Sequence, residues 1–135
     1  MMRATAHLVH QTAQDWLVQG VPAIVVRVAS IKGSTPRGVG TRMIVRLDQI
    51  TGTIGGGHLE WRAVSLARQA LAEWAQDCSG LARPPWQQVF ALGPTLGQCC
   101  GGSVTLAFEP LNAELMQHWR SPASRFHLEL HGAGH

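Results

Sequence analysis

Three glycine-rich segments, each placed after a candidate strand, constrain this chain more than any other feature. They read KGSTPRGVG (32–40), TGTIGGGH (51–58) and GPTLGQCCGG (93–102). Glycine tolerates positive φ and lets the backbone approach a ligand closely. Loops carry binding residues when a rigid scaffold brings them together. The pattern therefore predicts a scaffold of strands and helices whose glycine-rich loops form a site.

Hydrophobic periodicity predicts the elements of that scaffold. Apolar residues recur at helical spacing over 5–19 and 58–77, and 114–120 is predicted as a short helix. Strands are predicted at 23–31, 41–47, 51–54, 87–92 and 103–109. In the strand at 41–47, alternation assigns Met43, Val45 and Leu47 to the buried face and Arg42 and Arg46 to the other face.

The order of these elements predicts an α/β fold, a single mixed-sheet domain with a long helix after the GGGH loop. This domain spans 1–120, and SPAS opens a linker at 121–125. Residues 126–135 resemble a strand that enters a G-x-G turn, as at the start of a Rossmann-like dinucleotide-binding unit. We interpret them as the first strand of a truncated Rossmann-like domain that binds no dinucleotide, and an ordinary surface tail is the alternative.

Composition excludes several classes of protein. Hydrophobic residues make up 45% and charged residues 14% of the 135 residues, which argues against disorder. The net charge of +3 comes from scattered basic residues, so a nucleic-acid partner is not supported. The longest strongly apolar run, VPAIVV, is too short to span a bilayer, and no signal peptide is visible. We therefore expect a cytoplasmic protein whose three cysteines are reduced.

The first two glycine-rich segments contain groups that suit an anion. Gly55, Gly56 and Gly57 place backbone amides at the start of the long helix, where the dipole favours phosphate. A tight strand–helix turn is the alternative for these glycines. His58 is a candidate ligand or proton donor, or simply the first residue of the helix, where its imidazole favours the neutral form.

The segment at 33–42 adds hydroxyl and guanidinium donors for a phosphate or a polar heterocycle. These donors belong to Ser34, Thr35, Arg37 and Arg42. The alternative is a solvated loop without a ligand, with Arg42 on the outer face of an edge strand, and this segment taken alone favours that alternative.

The adjacent cysteines Cys99 and Cys100 indicate a chemical use for sulfur. Glycines flank them and offer no packing partners, whereas Cys78 fits a buried structural residue. Nearby backbone amides favour the thiolate. The spacing argues against structural zinc, and a soft metal or an electrophilic sulfur remains as the reaction partner.

Together these motifs resemble the XdhC/CoxI family of accessory proteins for molybdenum hydroxylases. The matching stretches are GSTPRGVGTRM (33–43), TGTIGGGHLE (51–60) and LGPTLGQCCGGSVTLAFEPL (92–111), and the resemblance covers roughly 10–111. It implies a chaperone, not an enzyme, that binds the molybdenum cofactor transiently. Such a protein supports sulfuration of the cofactor and its insertion into an apo xanthine dehydrogenase-type enzyme.

Carried onto this sequence, the resemblance implies the following roles. The cofactor-binding residues are Ser34, Thr35, Arg37, Arg42, Gly55, Gly56, Gly57, His58, Gln98, Cys99, Cys100 and Gly101. Beyond the resemblance, the exposed double thiol motivates the hypothesis that Cys99 or Cys100 relays sulfur from a cysteine desulfurase, and we expect no metal site in the chain itself. No nucleic-acid or membrane partner is expected, and a homodimer is left open.

Two other functions remain open at this point. The first is a phosphate- or nucleotide-binding module in which the cysteines are idle. The second is a thiol-dependent redox enzyme that uses Cys99 or Cys100 with His58 as base.

Overall fold

A computed structural model describes residues 2–33, 38–77, 84–92 and 102–119. The helices are α1 (Met2–Gln19), α2 (Gly57–Gln76) and α3 (Ala113–His118). The strands are β1 (Ile24–Lys32), β2 (Arg42–Arg46), β3 (Gln49–Gly52), β4 (Trp86–Ala91) and β5 (Ser103–Pro110). These strands form one sheet in the order β3-β2-β1-β5-β4, and each neighbouring pair is antiparallel.

The first part of the central strand β1 is buried on both faces, which explains the apolar run AIVV at 23–26. Ile24 and Val26 pack in the main core under α2, and Val25 packs in a second core under α1. All three side chains are fully buried. The sheet is therefore the middle layer, with α2 on one face and α1, together with the residue that follows α3, on the other.

The long helix α2 covers the larger core because its apolar residues form one stripe. Leu59, Ala63, Ala67 and Leu71 recur every four residues and are buried against the sheet. On the opposite face of the sheet, Trp16 of α1 and Trp119 belong to the smaller core. None of the helices in the described parts of the chain combines the length and apolar character that crossing a membrane requires.

The second core is closed by a buried histidine. His10 Nε2 lies 2.9 Å from the carbonyl oxygen of Trp119. A carbonyl can only accept, so this nitrogen carries the proton and donates. The imidazole also meets the indole of Trp119 edge-on, with ring centroids 5.1 Å apart. This contact links α1 to the end of α3 across 109 residues of sequence.

The prediction of an α/β domain with a long helix after the GGGH loop is confirmed. Met43 and Val45 are fully buried, as alternation predicts, but the prediction for Leu47 is wrong. β2 ends at Arg46, and Leu47 is 52% exposed in the turn to β3. Arg46 reaches over this turn to Asp48 at 2.7 Å, so the turn interrupts the alternation one residue early. The predicted second-domain strand at 126–135 lies outside the described residues.

Candidate functional site

All three glycine-rich segments leave the sheet at the same end. β1 runs towards this end, and its antiparallel neighbours run away from it, so strand ends and strand starts alternate there. We call it the loop end, formed by Lys32, Arg42, Gly52, Ala91 and Ser103. The shared site predicted from the sequence requires a scaffold that brings the three segments together. The sheet topology meets this condition, because each segment begins or ends at this edge.

The first and third segments touch where they leave the sheet. The amide of Leu92 donates to the carbonyl of Gly102 at 3.0 Å, which closes the base of the third segment. Gly102 has φ +78°, and a Cβ there would collide with the carbonyl oxygen of Lys32. A Cβ on Gly33 would lie 2.9 Å from the Cα of Gly102. Glycine at both positions is thus required by close backbone approach.

Seven of the predicted site residues lie outside the described parts of the chain. They are Ser34, Thr35, Arg37, Gln98, Cys99, Cys100 and Gly101. Cys78 lies outside them as well. The roles predicted for these residues, including the use of sulfur at the adjacent cysteines, stay predictions.

The middle segment is held by a carboxylate that the sequence motifs did not single out. One oxygen of Glu60, in the first turn of α2, accepts hydrogen bonds from the amides of Ile54 and Gly56, each at 3.0 Å. The hydroxyl of Thr53 donates to the same oxygen and accepts from the amide of Gly55 at 3.0 Å. The carboxylate of Glu60 therefore already accepts from the amide of Gly56, one of the amides for which the sequence suggested an external phosphate.

The remainder of this loop is open towards solvent. Gly55, Gly56 and Gly57 have φ of 120°, 76° and 75°, conformations that favour glycine. A Cβ on Gly56 or Gly57 would meet no heavy atom within 4 Å. The amides of Gly57, His58 and Leu59, in the first turn of α2, have no carbonyl partner within the helix. Those of Gly57 and His58 belong to exposed residues, so the helix start can offer them to a ligand.

His58 is exposed and stacks on an exposed indole. Its ring lies 5.7 Å from that of Trp61, with an interplanar angle of 23°. The guanidinium of Arg62, one residue further, lies 5.0 Å from the ring centroid of Phe90 in β4. This contact brings the first two turns of α2 to the end of β4, where the chain enters the third segment.

Arg42 faces the other side of the sheet. Met43 and Val45 pack beneath α2, so alternation turns Arg42 towards α1. Its guanidinium carbon lies 4.9 Å from the ring centroid of Trp119. The structure thus brings the backbone of Arg42 to the loop end but directs its side chain away from the face on which α2 and His58 lie.

Two residues of interest, Glu60 and Trp61, were missed by sequence reasoning. An acidic residue in the first turn of a helix, after a threonine and glycines, is the usual signal of a side chain that caps backbone amides. Trp61 lies two residues after buried Leu59, and a rotation of about 200° places it opposite the buried stripe. Both signals were present in the sequence. Among the described residues, no group of three or more His, Cys, Asp or Glu side chains could hold a metal ion.

Comparison with known proteins agrees with the sequence motifs. Residues 16–77 match the model of the XdhC and CoxI family, and this region includes the GGGH loop and all of α2. Among solved structures, a xanthine dehydrogenase from Bacillus halodurans has a similar fold, with a TM-score of 0.60 and 22% sequence identity. That similarity covers 84% of this chain and 32% of the Bacillus chain, so this chain spans about a third of its length. No curated protein matches the sequence significantly.

The first two of the three motif segments, 33–43 and 51–60, therefore lie within the region that the family model matches. The similar structure shows the fold alone, because its sequence identity is low. Together with the quoted motifs, the match over residues 16–77 confirms that this chain resembles the XdhC and CoxI family.

Proposed function

We propose that this chain is the cofactor-binding domain of an accessory protein for a xanthine dehydrogenase-type molybdenum hydroxylase. In this role it binds the molybdenum cofactor, supports its sulfuration and passes it to the apo enzyme, without being an enzyme itself. The family match over 16–77 supports an association with maturation of such enzymes. The similarity of its fold to a xanthine dehydrogenase from Bacillus halodurans agrees with this association.

The observation that carries this proposal is the shared loop end. The three segments that carry the family motifs are far apart in the sequence. The sheet order nevertheless brings the bases of all three to one edge. Gly33 and Gly102 approach within van der Waals contact there. A ligand with chemically different ends needs such convergence, because each segment can then recognise a different part of it.

The described residues fit such a cofactor with two revisions. The side chain of Arg42 lies over Trp119, on the other face of the sheet, and does not join the helix start. A terminal phosphate does not fit at the amides of Ile54 and Gly56, because the Glu60 carboxylate accepts from both. The amides of Gly57 and His58 remain suited to it, with open space beside them. The cofactor would supply a soft metal–sulfur centre. The part of this chain is to bind and orient it and to limit access of water.

The sulfur chemistry is assigned to one of the adjacent cysteines, Cys99 or Cys100. Its thiolate attacks the outer sulfur of a cysteine desulfurase persulfide, forms a new S–S bond and releases the desulfurase thiolate. This exchange moves one sulfur atom without any net oxidation. The third cysteine, Cys78, has no part in it.

Anaerobic purification from cells that make molybdenum cofactor, followed by analysis of molybdenum and pterin, tests the binding role. We expect both in similar molar amounts, and the loaded protein should activate apo xanthine dehydrogenase. Protein that carries neither, and takes up no cofactor when it is offered, would contradict the proposal.

A second measurement tests the sulfur step separately. The double variant Cys99→Ser/Cys100→Ser should lower the sulfido content of the activated enzyme severalfold, measured per molecule of cofactor that is delivered. Cys78→Ser is the matched control and should behave as the unmodified chain. Equal sulfido content with the double variant would refute the relay while leaving cofactor binding standing.

A further inference from the structure

The strand β4 forms an open edge of the sheet. It stands last in the sheet order, and among the described residues no strand pairs with its outer side. β4 is six residues long, WQQVFA, and contains neither a charged residue nor a proline. Charges, prolines and very short strands are common means by which proteins keep an edge strand from pairing with another chain. The sequence of β4 therefore lacks the usual protection of an edge.

The opposite edge of the sheet, β3, has such protection. It is only four residues long, and the ion pair between Arg46 and Asp48 spans the turn before it. Helix α1 packs against the end of β3, because Val9 lies so close to Gly52 that a Cβ on this glycine would collide with it. The two edges of the described sheet thus differ, and β4 is the one that is open to another strand.

The register of β4 on β5 shows which of its backbone groups point outward. The amide of Leu92 donates to the carbonyl of Gly102 at 3.0 Å, and the strand register places these two residues directly opposite each other. Hydrogen-bonded and non-hydrogen-bonded pairs alternate along an antiparallel ladder. Gln87, Val89 and Ala91 are therefore the residues whose N–H and C=O groups point to the open edge. Their side chains are exposed as well.

These outward groups are complementary to those of a second copy of the same strand. When two β4 strands pair antiparallel with Val89 of each copy on the two-fold axis, Gln87 of one copy lies opposite Ala91 of the other. Every outward N–H and C=O group of the strand then forms a hydrogen bond. An axis at Gln88 would instead place Ala91 opposite Pro85, which has no N–H to donate. Because the strand is neutral, self-pairing brings no like charges together.

We propose that β4 is the interface of a symmetric homodimer, in which the five-stranded sheets of two copies join into one continuous sheet. The two Val89 side chains meet on the face opposite α2, because the neighbouring Phe90 packs in the main core under α2. Helix α1 leaves this contact open, since it packs mainly on β2 and β3 at the other side of the sheet. None of the residues assigned to the cofactor lies in β4, so dimer formation does not depend on cofactor binding.

This arrangement orients the two candidate sites in opposite directions. Leu92, from which the chain enters the third glycine-rich segment, follows β4 at the loop end. Antiparallel pairing places the loop end of one copy beside the opposite end of the other copy. Because Leu92 lies about three residues beyond the axis at Val89, the third segments of the two copies start roughly 20 Å apart. Each copy therefore keeps its own loop end, and the dimer does not merge the two sites.

Analytical ultracentrifugation of the 135-residue chain over a wide range of concentrations tests the dimer. The interface of two edge strands is small, so we expect a reversible equilibrium between monomer and dimer. Val89→Lys places like charges opposite each other and should weaken association about tenfold or more. Val18→Lys makes the same change at an exposed valine of α1 and should leave the equilibrium unchanged. Because both valines are exposed, both variants should unfold near the urea concentration of the unmodified chain.

A disulfide at the two-fold axis tests the register of the two strands. In a chain with Cys78, Cys99 and Cys100 replaced by serine, Val89→Cys places two thiols on directly opposite residues. The Cα atoms of such a pair lie about 5.5 Å apart, within the range that a disulfide spans. Gln87→Cys is the matched control on the same strand and face, because its two thiols are about four residues apart along the strands, roughly 14 Å. Oxidation by copper phenanthroline should therefore cross-link position 89 and not position 87.

Several results would overturn the assignment. A chain that stays monomeric at every concentration would leave the β4 edge to a strand of a different protein. A dimer that Val89→Lys does not weaken would use another surface, and equal cross-linking at positions 87 and 89 would contradict the two-fold axis at Val89. A dimer that takes up no molybdenum cofactor would leave the interface standing and would count against the proposed function alone.

Discussion

Replacing Glu60 by alanine should destabilise the chain measurably, because one carboxylate oxygen holds the whole middle loop. It accepts hydrogen bonds from Thr53, Ile54 and Gly56. A hydrogen bond to a charged group contributes about 1.5–3 kcal/mol when it is protected from water. Glu60 is half-buried, so water replaces part of what is lost. We expect the free energy of unfolding to fall by about 2 kcal/mol in total.

Urea denaturation followed by circular dichroism measures this loss. The midpoint should fall without a change in slope, and thermal unfolding should shift downward by roughly 6–8 °C for a chain of this size. Glu60→Gln keeps an acceptor and loses the charge, so its cost should be about half as large, about 1 kcal/mol. Hydrogen exchange at the amides of Ile54 and Gly56 should accelerate in the alanine variant.

Glu73→Ala is the matched control, since Glu73 is an exposed residue of the same helix. Its unfolding free energy should stay within about 0.5 kcal/mol of the unmodified chain. If Glu60→Ala and Glu73→Ala unfold at the same urea concentration, the carboxylate does not hold the loop. The amides of Ile54 and Gly56 would then be available for an external phosphate.

Three further outcomes are expected. Gly102→Ala should cost about 2–4 kcal/mol in urea unfolding because positive φ and a backbone collision combine, whereas Gly20→Ala, with positive φ and open space, should cost about 1 kcal/mol. His10→Leu leaves a buried carbonyl without its donor and should cost about 1–3 kcal/mol in the same measurement. The hydrogen bond from Arg46 lowers the pKa of the Asp48 carboxyl, so Asp48→Asn should be less stable than the unmodified chain at pH 7. This difference should shrink as pH falls from the ordinary pKa of 3.8 and should disappear once pH is below the lowered pKa of Asp48 in the folded chain, where the carboxyl is protonated.

Helices and strands could be predicted from the sequence wherever burial of one face makes apolar residues recur at a regular spacing. Val104, Leu106 and Phe108 alternate in the sequence, and all three are fully buried under α2. The same reasoning failed at Leu47, where a turn ends the alternation. Strand order was not accessible in this way, because β1 pairs with both β2 and the distant β5. Periodicity specifies which face is buried but not which strand lies beside it.

The candidate site was predictable only in its location. Glycine segments indicated where the backbone must adopt positive φ, and Gly55, Gly56 and Gly57 do so. What those amides bind depends on a side chain that folds back from the helix, and the sequence alone left Glu60 as one acidic residue among several. The GGGH motif therefore does not show by itself which side chain accepts hydrogen bonds from the loop amides.

Convergence of the segments can be tested by chemical cross-linking. His58 lies at the start of α2, and the chain leaves the sheet towards Cys99 and Cys100 at Leu92. β3, which leads into α2, is separated from β5 by three strand spacings, roughly 15 Å. The end of β3 also lies five residues from the start of β5 along the strands, roughly 17 Å. A bis-maleimide that spans roughly 20–25 Å should therefore join a cysteine at position 58 to one of the adjacent cysteines.

The comparison uses two variants in a Cys78→Ser background, His58→Cys and Val18→Cys. Val18 is exposed near the end of α1, from which the chain enters β1 at the edge opposite the loop end. Peptide mass spectrometry should find the cross-link from position 58 and not from position 18. If both positions react equally, or only position 18 does, the segments do not meet in solution. A single ligand could not then bridge the helix start and the paired thiols, whatever each segment binds alone.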